Sequence, residues 1–385
     1  MKIASIVNNC FTNDSRVKKQ AISLTNAGYE VSVFALWRDG LDHLSHENGY
    51  QVKRVKTYLF SDKNIVTKTF RILVFSFSLS LEIHKFDIVH CHDFHPLPAI
   101  LLSKLFFRSK SIVIYDAHEL QSEKLALSKP SKFFIKSLEK LASPFISGFI
   151  TVSESILESY NNLFSRMPKT LILNCPPKEE LAKSLKFDSL LSLRRGSVKC
   201  LYQGGFLPFR GIEELLEGSR DSGFESLNFI FMGHAGITKF GKSLEKRIVD
   251  LAKKHKNIHH VKSVPMNDLL SFTSSASFGV CLTVDNCLNH KYSLPNKFFE
   301  YAMAGLPIVV SDLPEMRKLV QKYNCGVVCE TVTPYGIVKS IKELLANDLN
   351  KFSKNARRMA EDHSWEVQEK KLLSLYDQVL KVPLK

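Results

Sequence analysis

Short apolar runs alternate with longer amphipathic stretches along the whole chain. The apolar runs are rich in isoleucine, valine and phenylalanine, which is typical of buried β-strands. In the first half they read KIASIV, EVSVFAL, QVKRVKTY, FDIVHCH, SIVIYD, GFITVS and TLILN. In the second half they read VKCLYQ, LNFIFMG, NIHHVKSV, FGVCLTV, PIVVSD and CGVVCE. Because helical periodicity fills most of the gaps, the pattern predicts an α/β protein with two parallel sheets, each covered by helices on both faces.

The helical stretches are amphipathic rather than apolar throughout. They are predicted at residues 16–27, 97–107, 131–147, 211–219 and 243–255. The most apolar of the candidates for a membrane span, Ile72–Leu81, has about half of the roughly 20 residues that a bilayer requires. We therefore interpret it as a buried helix segment.

A chain of 385 residues is longer than one hydrophobic core usually supports, so two domains are expected. We expect a first domain at residues 1–180 and a second at 196–363. The stretch between them, within Cys175–Ser197, is polar and contains two adjacent prolines. Residues 364–385 form a C-terminal segment, whose amphipathic helix would pack back on the first domain if the chain wraps around both.

Cysteine usage indicates the cellular compartment, and the net charge indicates which classes of ligand suit the chain. The eight cysteines include no C-x-x-C pair, which suits reduced thiols in the cytoplasm, and the N-terminus enters an apolar strand without a signal-like segment. The net charge of +15 is spread over both halves. It suits an anionic membrane surface, phosphate-bearing ligands or nucleic acid. Nucleic acid is the weakest of the three, because no RNP motif, zinc finger or base-reading basic helix is present.

Polar residues and glycines follow many of the predicted strands. Ligands of parallel sheets bind beyond the carboxyl ends of the strands. A shared edge of this kind predicts a cleft between two domains, with a ligand that both contact. The residues concerned include Asn13, Asp14, Arg16, His92, Asp93, His95, His118, Glu119, Gly204, Gly205, Gly233 and Gly236.

Two places in the second half suit phosphate chemistry. Gly204 and Gly205 lie between a strand and a helix, where a backbone can approach a diphosphate closely and Arg210 can add a charge-assisted contact. Lys297 and Glu300 share one face of a helix that Ser293 would cap, so the lysine could meet phosphate and the glutamate ribose hydroxyls. The alternatives are an ordinary strand–turn–helix connection and a surface ion pair.

His90, His92 and His95 raise the question of a metal site. His90 and His92 alternate along a strand and share a face, but no cysteine or carboxylate cluster nearby in sequence completes a ligand set. Core or loop histidines are the preferred interpretation, and no metal is predicted.

Residues 131–141 form a basic amphipathic helix. Such helices can lie on anionic membranes. An ordinary helix with its apolar stripe against the sheet is the slightly preferred alternative.

Four stretches in order along the chain carry a resemblance to one enzyme family. They read NDSRVKKQAISLTNAGYEVSVFAL, FDIVHCHDFHPLPA, LYQGGFLPFRGIEELLEG and PNKFFEYAMAGLPIVVSDLPEM. The chain resembles the retaining glycosyltransferases of family 4, also called group 1 transferases. The resemblance implies the GT-B fold, with two Rossmann-like domains whose parallel sheets face a central cleft.

The resemblance also implies roles for particular residues. His118 would face the sugar and the reaction centre, with Asn13, Asp14 and His92 on the acceptor side. Arg210 and Lys297 would contact the diphosphate, Glu300 the ribose, and Lys262 and Val264 would lie near the base. The full donor-binding set would be Gly204, Gly205, Arg210, Lys262, Val264, Pro295, Asn296, Lys297 and Glu300. Two positions depart from the usual pattern, since Tyr292 replaces the first glutamate of E-x7-E and Gly205 an arginine.

The implied activity is metal-independent, retaining transfer of a hexose-type sugar from a UDP- or GDP-linked donor. Because this donor is a substrate, no cofactor is expected. A lipid-linked or polysaccharide acceptor is expected, in the cytoplasm or at the inner face of the cell membrane. The alternatives are a nucleotide-sugar epimerase with a similar frame and a non-catalytic nucleotide-sugar-binding protein. A Rossmann dehydrogenase ranks last, because no G-x-G-x-x-G follows the first strand.

Overall fold

The structure, a computed structural model, describes residues 1–56, 65–125, 127–180 and 186–381. The end of the predicted strand QVKRVKTY and part of the predicted domain boundary lie outside these residues. The chain divides into two compact units. Unit 1 contains Met1–Leu173 and Gln368–Lys385, and unit 2 contains Asn174–Val367.

Unit 1 is built on an eight-stranded sheet. Its strands are β1 (Lys2–Ile6), β2 (Glu30–Leu36), β3 (Leu44–Glu47), β4 (Tyr50–Val55), β5 (Ile88–His92), β6 (Ile112–Ala117), β7 (Gly148–Thr151) and β8 (Lys169–Leu171). Its helices are α1 (Ser15–Asn26), α2 (Ile65–Ile83), α3 (Leu97–Phe106), α4 (Lys129–Ala142) and α5 (Glu154–Ser159). The strand order is β3-β4-β2-β1-β5-β6-β7-β8, so the order reverses between β1 and β5.

One edge of this sheet departs from the predicted parallel arrangement. Strand β3 was not predicted, and it pairs antiparallel with β4. Asn48 and Gly49 connect the two strands, both at positive φ (45° and 84°). An Asn-Gly pair adopts this conformation readily and forms a tight hairpin turn.

Unit 2 is built on a six-stranded, wholly parallel sheet. Its strands are β9 (Lys199–Gln203), β10 (Asn228–Gly233), β11 (Ile258–Lys262), β12 (Phe278–Cys281), β13 (Ile308–Ser311) and β14 (Gly326–Cys329). Its helices are α6 (Lys186–Leu190), α7 (Ile212–Gly218), α8 (Lys239–Ala252), α9 (Met266–Thr273), α10 (Leu288–Lys291), α11 (Asn296–Met303), α12 (Pro314–Tyr323), α13 (Pro334–Leu345) and α14 (Leu349–Asp362). The order β11-β10-β9-β12-β13-β14 reverses between β9 and β12.

A last helix, α15 (Trp365–Lys381), crosses from one unit to the other in sequence. Within unit 1 the Tyr376 hydroxyl lies 2.8 Å from Nδ1 of His90 on β5. Within unit 2 the Trp365 N–H donates to the Pro176 carbonyl at 2.9 Å. Each end of α15 is therefore held by the unit to which it belongs.

Two parallel-dominated sheets with helices confirm the predicted α/β class, while two details of the helices were wrong. The helix predicted over 131–147 spans Lys129–Ala142 instead, because Pro144 lacks an N–H and disfavours a helical residue before it. Ser293 does not cap α11. The cap position is Pro295, and the Ser293 hydroxyl donates to the His290 carbonyl at 2.8 Å.

The apolar segment Ile72–Leu81 lies in α2, as predicted for a helix. Phe75 and Leu79 are buried, whereas Phe77 and Leu81 are exposed. Among the described residues, none of the helices has the length and hydrophobicity that a bilayer crossing requires.

Candidate functional site

Charged and polar residues, with a glycine loop in unit 2, gather at the carboxyl edge of each sheet, beside the point where the strand order reverses. Such points are where open α/β sheets bind their ligands. In unit 2 these residues are Gly204, Arg210, Cys281, Lys297 and Glu300, which we call the Lys297 cluster. In unit 1 they are Arg16, His90, His92, Asp116 and His118, which we call the Asp116 cluster.

The glycine loop of the Lys297 cluster follows β9 directly. Gly204 has a φ of +125°, a conformation that L side chains rarely adopt. Its carbonyl oxygen would lie only 1.9 Å from a Cβ added to Gly233, so the loop passes tightly against the end of β10. Because neither Gly204 nor Gly233 has a side chain, the backbone after β9 can turn here in close contact with the end of β10.

Lys297 lies in the first turn of α11 and reaches this loop. Its Nζ lies 3.8 Å from the ring centroid of Tyr202 on β9, in cation–π contact. A Cβ on Gly204 would lie 3.6 Å from the same Nζ. Lys297 is half-buried. The aromatic ring thus holds the ammonium group over the glycine loop while leaving it partly in contact with solvent.

Glu300, one turn later on α11, is oriented by Gln203 at the end of β9. The Gln203 amide nitrogen donates to Glu300 Oε2 at 2.5 Å. The amide oxygen of Gln203 accepts from the Thr273 hydroxyl at 2.8 Å, and its backbone N–H donates to the Tyr301 hydroxyl at 2.8 Å. The contacts with Thr273 and Tyr301 therefore fix Gln203, which in turn orients the carboxylate of Glu300.

Arg210 follows the same loop and precedes α7. Its guanidinium donates to the Thr283 hydroxyl at 3.3 Å, just beyond β12. Its two neighbours, Phe209 and Gly211, both have positive φ (61° and 65°), which turns the chain sharply on either side of the arginine. Arg210 is half-buried, so the turn presents a guanidinium at the carboxyl edge of the sheet.

The charges of Lys297, Arg210 and Glu300 all affect the pKa of the buried Cys281 thiol at the end of β12. Burial raises its pKa to about 11, the positive charges of Lys297 and Arg210 oppose that rise, and the negative charge of Glu300 adds to it. Two cations and one carboxylate therefore lie within electrostatic reach of one residue. Such a group can hold an anion on the cations and hydrogen-bond hydroxyls through the carboxylate.

The other predicted donor-side residues lie on neighbouring elements of unit 2. Lys262 ends β11 and is exposed, and Val264 is half-buried two residues later. Between them, Ser263 Oγ lies 2.9 Å from His234 Nδ1, which joins the loops after β11 and β10.

Three further predicted donor-binding positions, Pro295, Asn296 and Gly205, lie at the start of α11 and in the glycine loop. Pro295 caps α11 and Asn296 begins it, exposed to solvent. The carbonyl of Gly205 accepts from the Tyr202 hydroxyl at 3.0 Å. Tyr292, where the family usually has a glutamate, ends the short helix α10 and is half-buried.

In unit 1, the carboxylate of Asp116 is fully buried near the end of β6. It accepts two hydrogen bonds from Arg16, at 3.0 Å from Nε and 2.8 Å from the terminal nitrogen, and one from Gln20 at 2.8 Å. Burial alone would raise the pKa of Asp116. The Arg16 guanidinium and His118 more than offset this effect and hold the pKa well below its usual range.

His118, just beyond β6, joins this cluster from the solvent side. Its Nε2 lies 3.1 Å from His92 Nδ1 and 3.5 Å from Asp116 Oδ2, and its side chain is 21 % exposed. Asp93, at a φ of +61°, accepts from the backbone N–H of His118 at 3.0 Å. The Gln121 amide donates to the same Asp93 oxygen. The ring of His118 is thus held from both its backbone and its side chain.

The environments of His92 and His118 drive their pKa values apart. His92 is 2 % exposed, and burial together with the nearby His90 lowers its pKa to about 3. Burial acts in the same direction on His118, but the negative charges of Asp93 and Asp116 outweigh it and raise the pKa. In an adjacent pair of this kind the outer ring is protonated before the inner ring as the pH falls. Nε2 of His92 lies 3.0 Å from the Ser5 hydroxyl.

His90, His92 and Asp116 are the described residues that could hold a metal ion, since their ligand atoms lie within 4.8 Å of one another. The prediction of no metal was made from the sequence, which does not bring Asp116 near these histidines. The guanidinium of Arg16 already lies on the carboxylate, and this permanent positive charge disfavours a dication beside it.

The two predicted acceptor-side residues at the start of α1 differ in their surroundings. Asn13 is exposed. Asp14 caps α1, accepting from the Val17 N–H at 3.2 Å and from the Asn9 amide at 2.8 Å. The position of Asp14 therefore has a structural reason of its own.

Four residues of these clusters were not singled out from the sequence: Tyr202, Gln203, Cys281 and Asp116. Each lies at or near the end of a buried strand. The available signal was a polar side chain closing an apolar run, as Gln203 and Asp116 do. Their partners Glu300 and Arg16 lie far away in sequence, so the run alone could not identify them.

Comparison with known proteins follows the same division of the chain. Residues 16–174 match the family model Glycosyltransferase Family 4, and residues 192–359 match Glycosyl transferases group 1. No curated protein sequence matches the chain significantly.

Solved structures resemble the chain over its whole length. Sucrose-phosphate synthase from Thermosynechococcus elongatus has a TM-score of 0.80 at 15 % identity, covering 99 % of both chains. Anabaena HepE in complex with UDP-glucose has a TM-score of 0.73 at 14 % identity, covering 98 % of this chain and 99 % of that one. Starch synthase IV from Arabidopsis thaliana, bound to ADP and acarbose, has a TM-score of 0.72 at 12 % identity, covering 99 % of both chains. These similarities confirm the GT-B fold.

Proposed function

Because the chain belongs to the glycosyltransferases of family 4 and group 1, we propose that it transfers a hexose-type sugar from a nucleotide diphosphate sugar to an acceptor, retaining the anomeric configuration and using no metal. The observation that carries this proposal is the Lys297 cluster. Two half-buried cations and an oriented carboxylate lie at the switch point of the unit 2 sheet, with Lys297 beside the glycine loop.

The donor binds with its diphosphate on Arg210 and Lys297 and its ribose on Glu300. The amino-terminal end of α11 adds a favourable dipole for the phosphates. The loop of Gly204 and Gly205 lies beneath them, and the base extends toward Lys262 and Val264. Similar proteins have been solved with UDP-glucose or with ADP, which supports a nucleotide sugar as the class of donor.

The two cations stabilise the leaving group. As the bond from the sugar to the diphosphate breaks, negative charge develops on the phosphate oxygens. Preorganised positive groups stabilise this charge without reorganising, which is the role that a metal ion has in other transferases. His118 faces the sugar, with its ring oriented by His92 and Asp116 and its pKa raised by the negative charges of Asp93 and Asp116. Retention rests on the resemblance to the family.

The acceptor is a lipid-linked glycan or a polysaccharide, bound on the side of Asn13 and Asp14. His92 is buried and touches the ring of His118, so it acts on the acceptor side through His118.

Turnover of single variants tests the role of the cations. The donor is first identified by thermal shift with UDP-, GDP- and other nucleotide sugars, since a ligand that binds the folded state raises the unfolding temperature. We expect Arg210→Ala and Lys297→Ala each to lower kcat by about 10²- to 10³-fold. Arg247→Ala and Lys339→Ala, at exposed positions of the same unit, are the matched controls. Near wild-type turnover in the first pair would refute the proposal.

Four further readouts test the rest of the proposal and its alternatives. Unchanged turnover in EDTA supports metal independence, and NMR of the product gives the anomeric configuration. Release of an epimerised sugar without acceptor would instead indicate an epimerase. Calorimetric binding of the donor without any turnover would indicate a binding protein.

A further inference from the structure

Helix α4 of unit 1 has two apolar faces, and one of them is turned to solvent. Ile135, Leu138 and Ala142 are buried against the rest of the unit. Phe133, Phe134 and Leu141 are exposed by 75 %, 60 % and 60 %. An ordinary surface helix needs only the buried face, so the second apolar face requires a separate explanation.

The exposed apolar side chains form one stripe. At about 100° per residue, Phe133, Leu141 and Phe134 fall within a sector about 100° wide, which adjoins the buried face on the side of Leu138. The four lysines of α4 fall on one flank of this stripe. They are Lys129, Lys132, Lys136 and Lys140.

Among the residues of α4 itself, the outward face has positive charge only. Glu139 is the single acidic residue of α4, and it is buried, accepting from the hydroxyls of Tyr115 at 2.8 Å and Tyr160 at 2.6 Å. Glu123, outside the helix, pairs with Lys132 and Lys136 at 2.7 and 2.8 Å. One carboxylate therefore pairs with two of the four lysines, and Lys136 stays 59 % exposed.

We propose that this outward face of α4, formed by Phe133, Phe134, Leu141 and the four lysines, binds an anionic lipid membrane. Phenylalanine and leucine side chains enter the boundary between headgroups and acyl chains, while lysines beside them attract anionic headgroups. Charge complementarity favours lipid over a protein partner, because lysine is depleted at protein–protein interfaces. The net charge of +15 acts in the same direction.

The outward face of α4 lies close in sequence to His118, and both belong to unit 1. The connection from His118 runs through the short turn Gln121–Glu123 into α4, and the two lysine pairs tie Glu123 to the helix. Since α4 follows β6, its first turns lie at the carboxyl edge of the sheet, where His118 is. Resting on the proposed function, this position would bring a lipid-linked acceptor to His118 at the membrane surface.

Vesicle sedimentation of the full chain tests the inference. We expect binding to vesicles of phosphatidylcholine with phosphatidylglycerol, weaker binding at high salt, and little to pure phosphatidylcholine. The double variant Phe133→Ser and Phe134→Ser should bind at least about 10-fold more weakly. Tyr335→Ser, 79 % exposed on α13 of unit 2, is the matched control and should bind like the wild type.

Two outcomes would overturn the inference: no sedimentation with the anionic vesicles, or equal binding by the double variant. Light scattering that shows a dimer which the double variant dissociates, without lipid binding, would assign the face to a second copy instead. The thermal shift caused by the donor is measured on the same samples. The double variant should keep it, so a failure of membrane binding is distinguishable from a failure of the proposed donor site.

Discussion

The Asp116 and Lys297 clusters both lie at the carboxyl edge of a parallel sheet, yet they handle charge in opposite ways. In unit 1 the carboxylate of Asp116 is fully buried and accepts three hydrogen bonds from side chains of α1. In unit 2 Arg210 and Lys297 are half-buried, and the described contacts are one 3.3 Å hydrogen bond and one aromatic ring.

The difference indicates what each cluster is suited for. A buried ion pair whose partners satisfy each other gains little from a ligand, so the Asp116 cluster is suited to holding His118 in place. Cations held lightly at a surface keep most of their capacity to bind an anion. The carboxyl edge of the sheet is therefore suited to orientation in unit 1 and, under the proposed function, to binding in unit 2.

The largest expected effect concerns the buried carboxylate. Asp116→Asn keeps the shape of the side chain but removes the negative charge that faces the buried guanidinium of Arg16, so we expect the free energy of unfolding to fall by about 3–5 kcal/mol. Urea denaturation measures this change in the free energy of unfolding. Asp250→Asn, at an exposed pair in unit 2, is the control and should leave the urea midpoint unchanged. Equal stability of both variants would break the contrast between the clusters.

Much of the architecture could be predicted from the sequence, because apolar runs and helical periodicity are local signals. The antiparallel strand β3 was missed although Asn48-Gly49 is also a local signal. The ion pair of Asp116 with Arg16 could not be predicted, because 100 positions separate the two residues and only the folded sheet brings them together. The same holds for Gln203 and Glu300, which are 97 positions apart.

The second prediction concerns pH and the inner histidine. His92 has a pKa of about 3 when folded and about 6.5 when unfolded, so between these values the unfolded chain binds the additional proton. Stability should therefore fall as the pH is lowered from 6.5 to 4. His90, whose pKa burial also lowers, acts in the same direction.

Replacing the histidine isolates its contribution. His92→Gln should flatten the slope of unfolding free energy against pH by up to about 1.4 kcal/mol per pH unit. His118 has a raised pKa and the opposite sign, since its contribution is present below about pH 6.5 and is lost as pH rises through the folded value. The control is His234→Gln, at an exposed position in unit 2. Identical slopes in wild type and His92→Gln would contradict a neutral, buried His92.

The smallest expected effect tests whether unit 2 also contains a positioning residue. Gln203→Met keeps the length of the side chain but removes its hydrogen bonds to Glu300 and Thr273. If Glu300 binds the donor, the loss of its orientation should raise the donor Kd by about 10-fold, or about 1.4 kcal/mol. Calorimetry measures it, with the exposed Gln321→Met as control. An unchanged Kd would mean that Glu300 needs no such support, and that unit 2, unlike unit 1, binds without a buried positioning network.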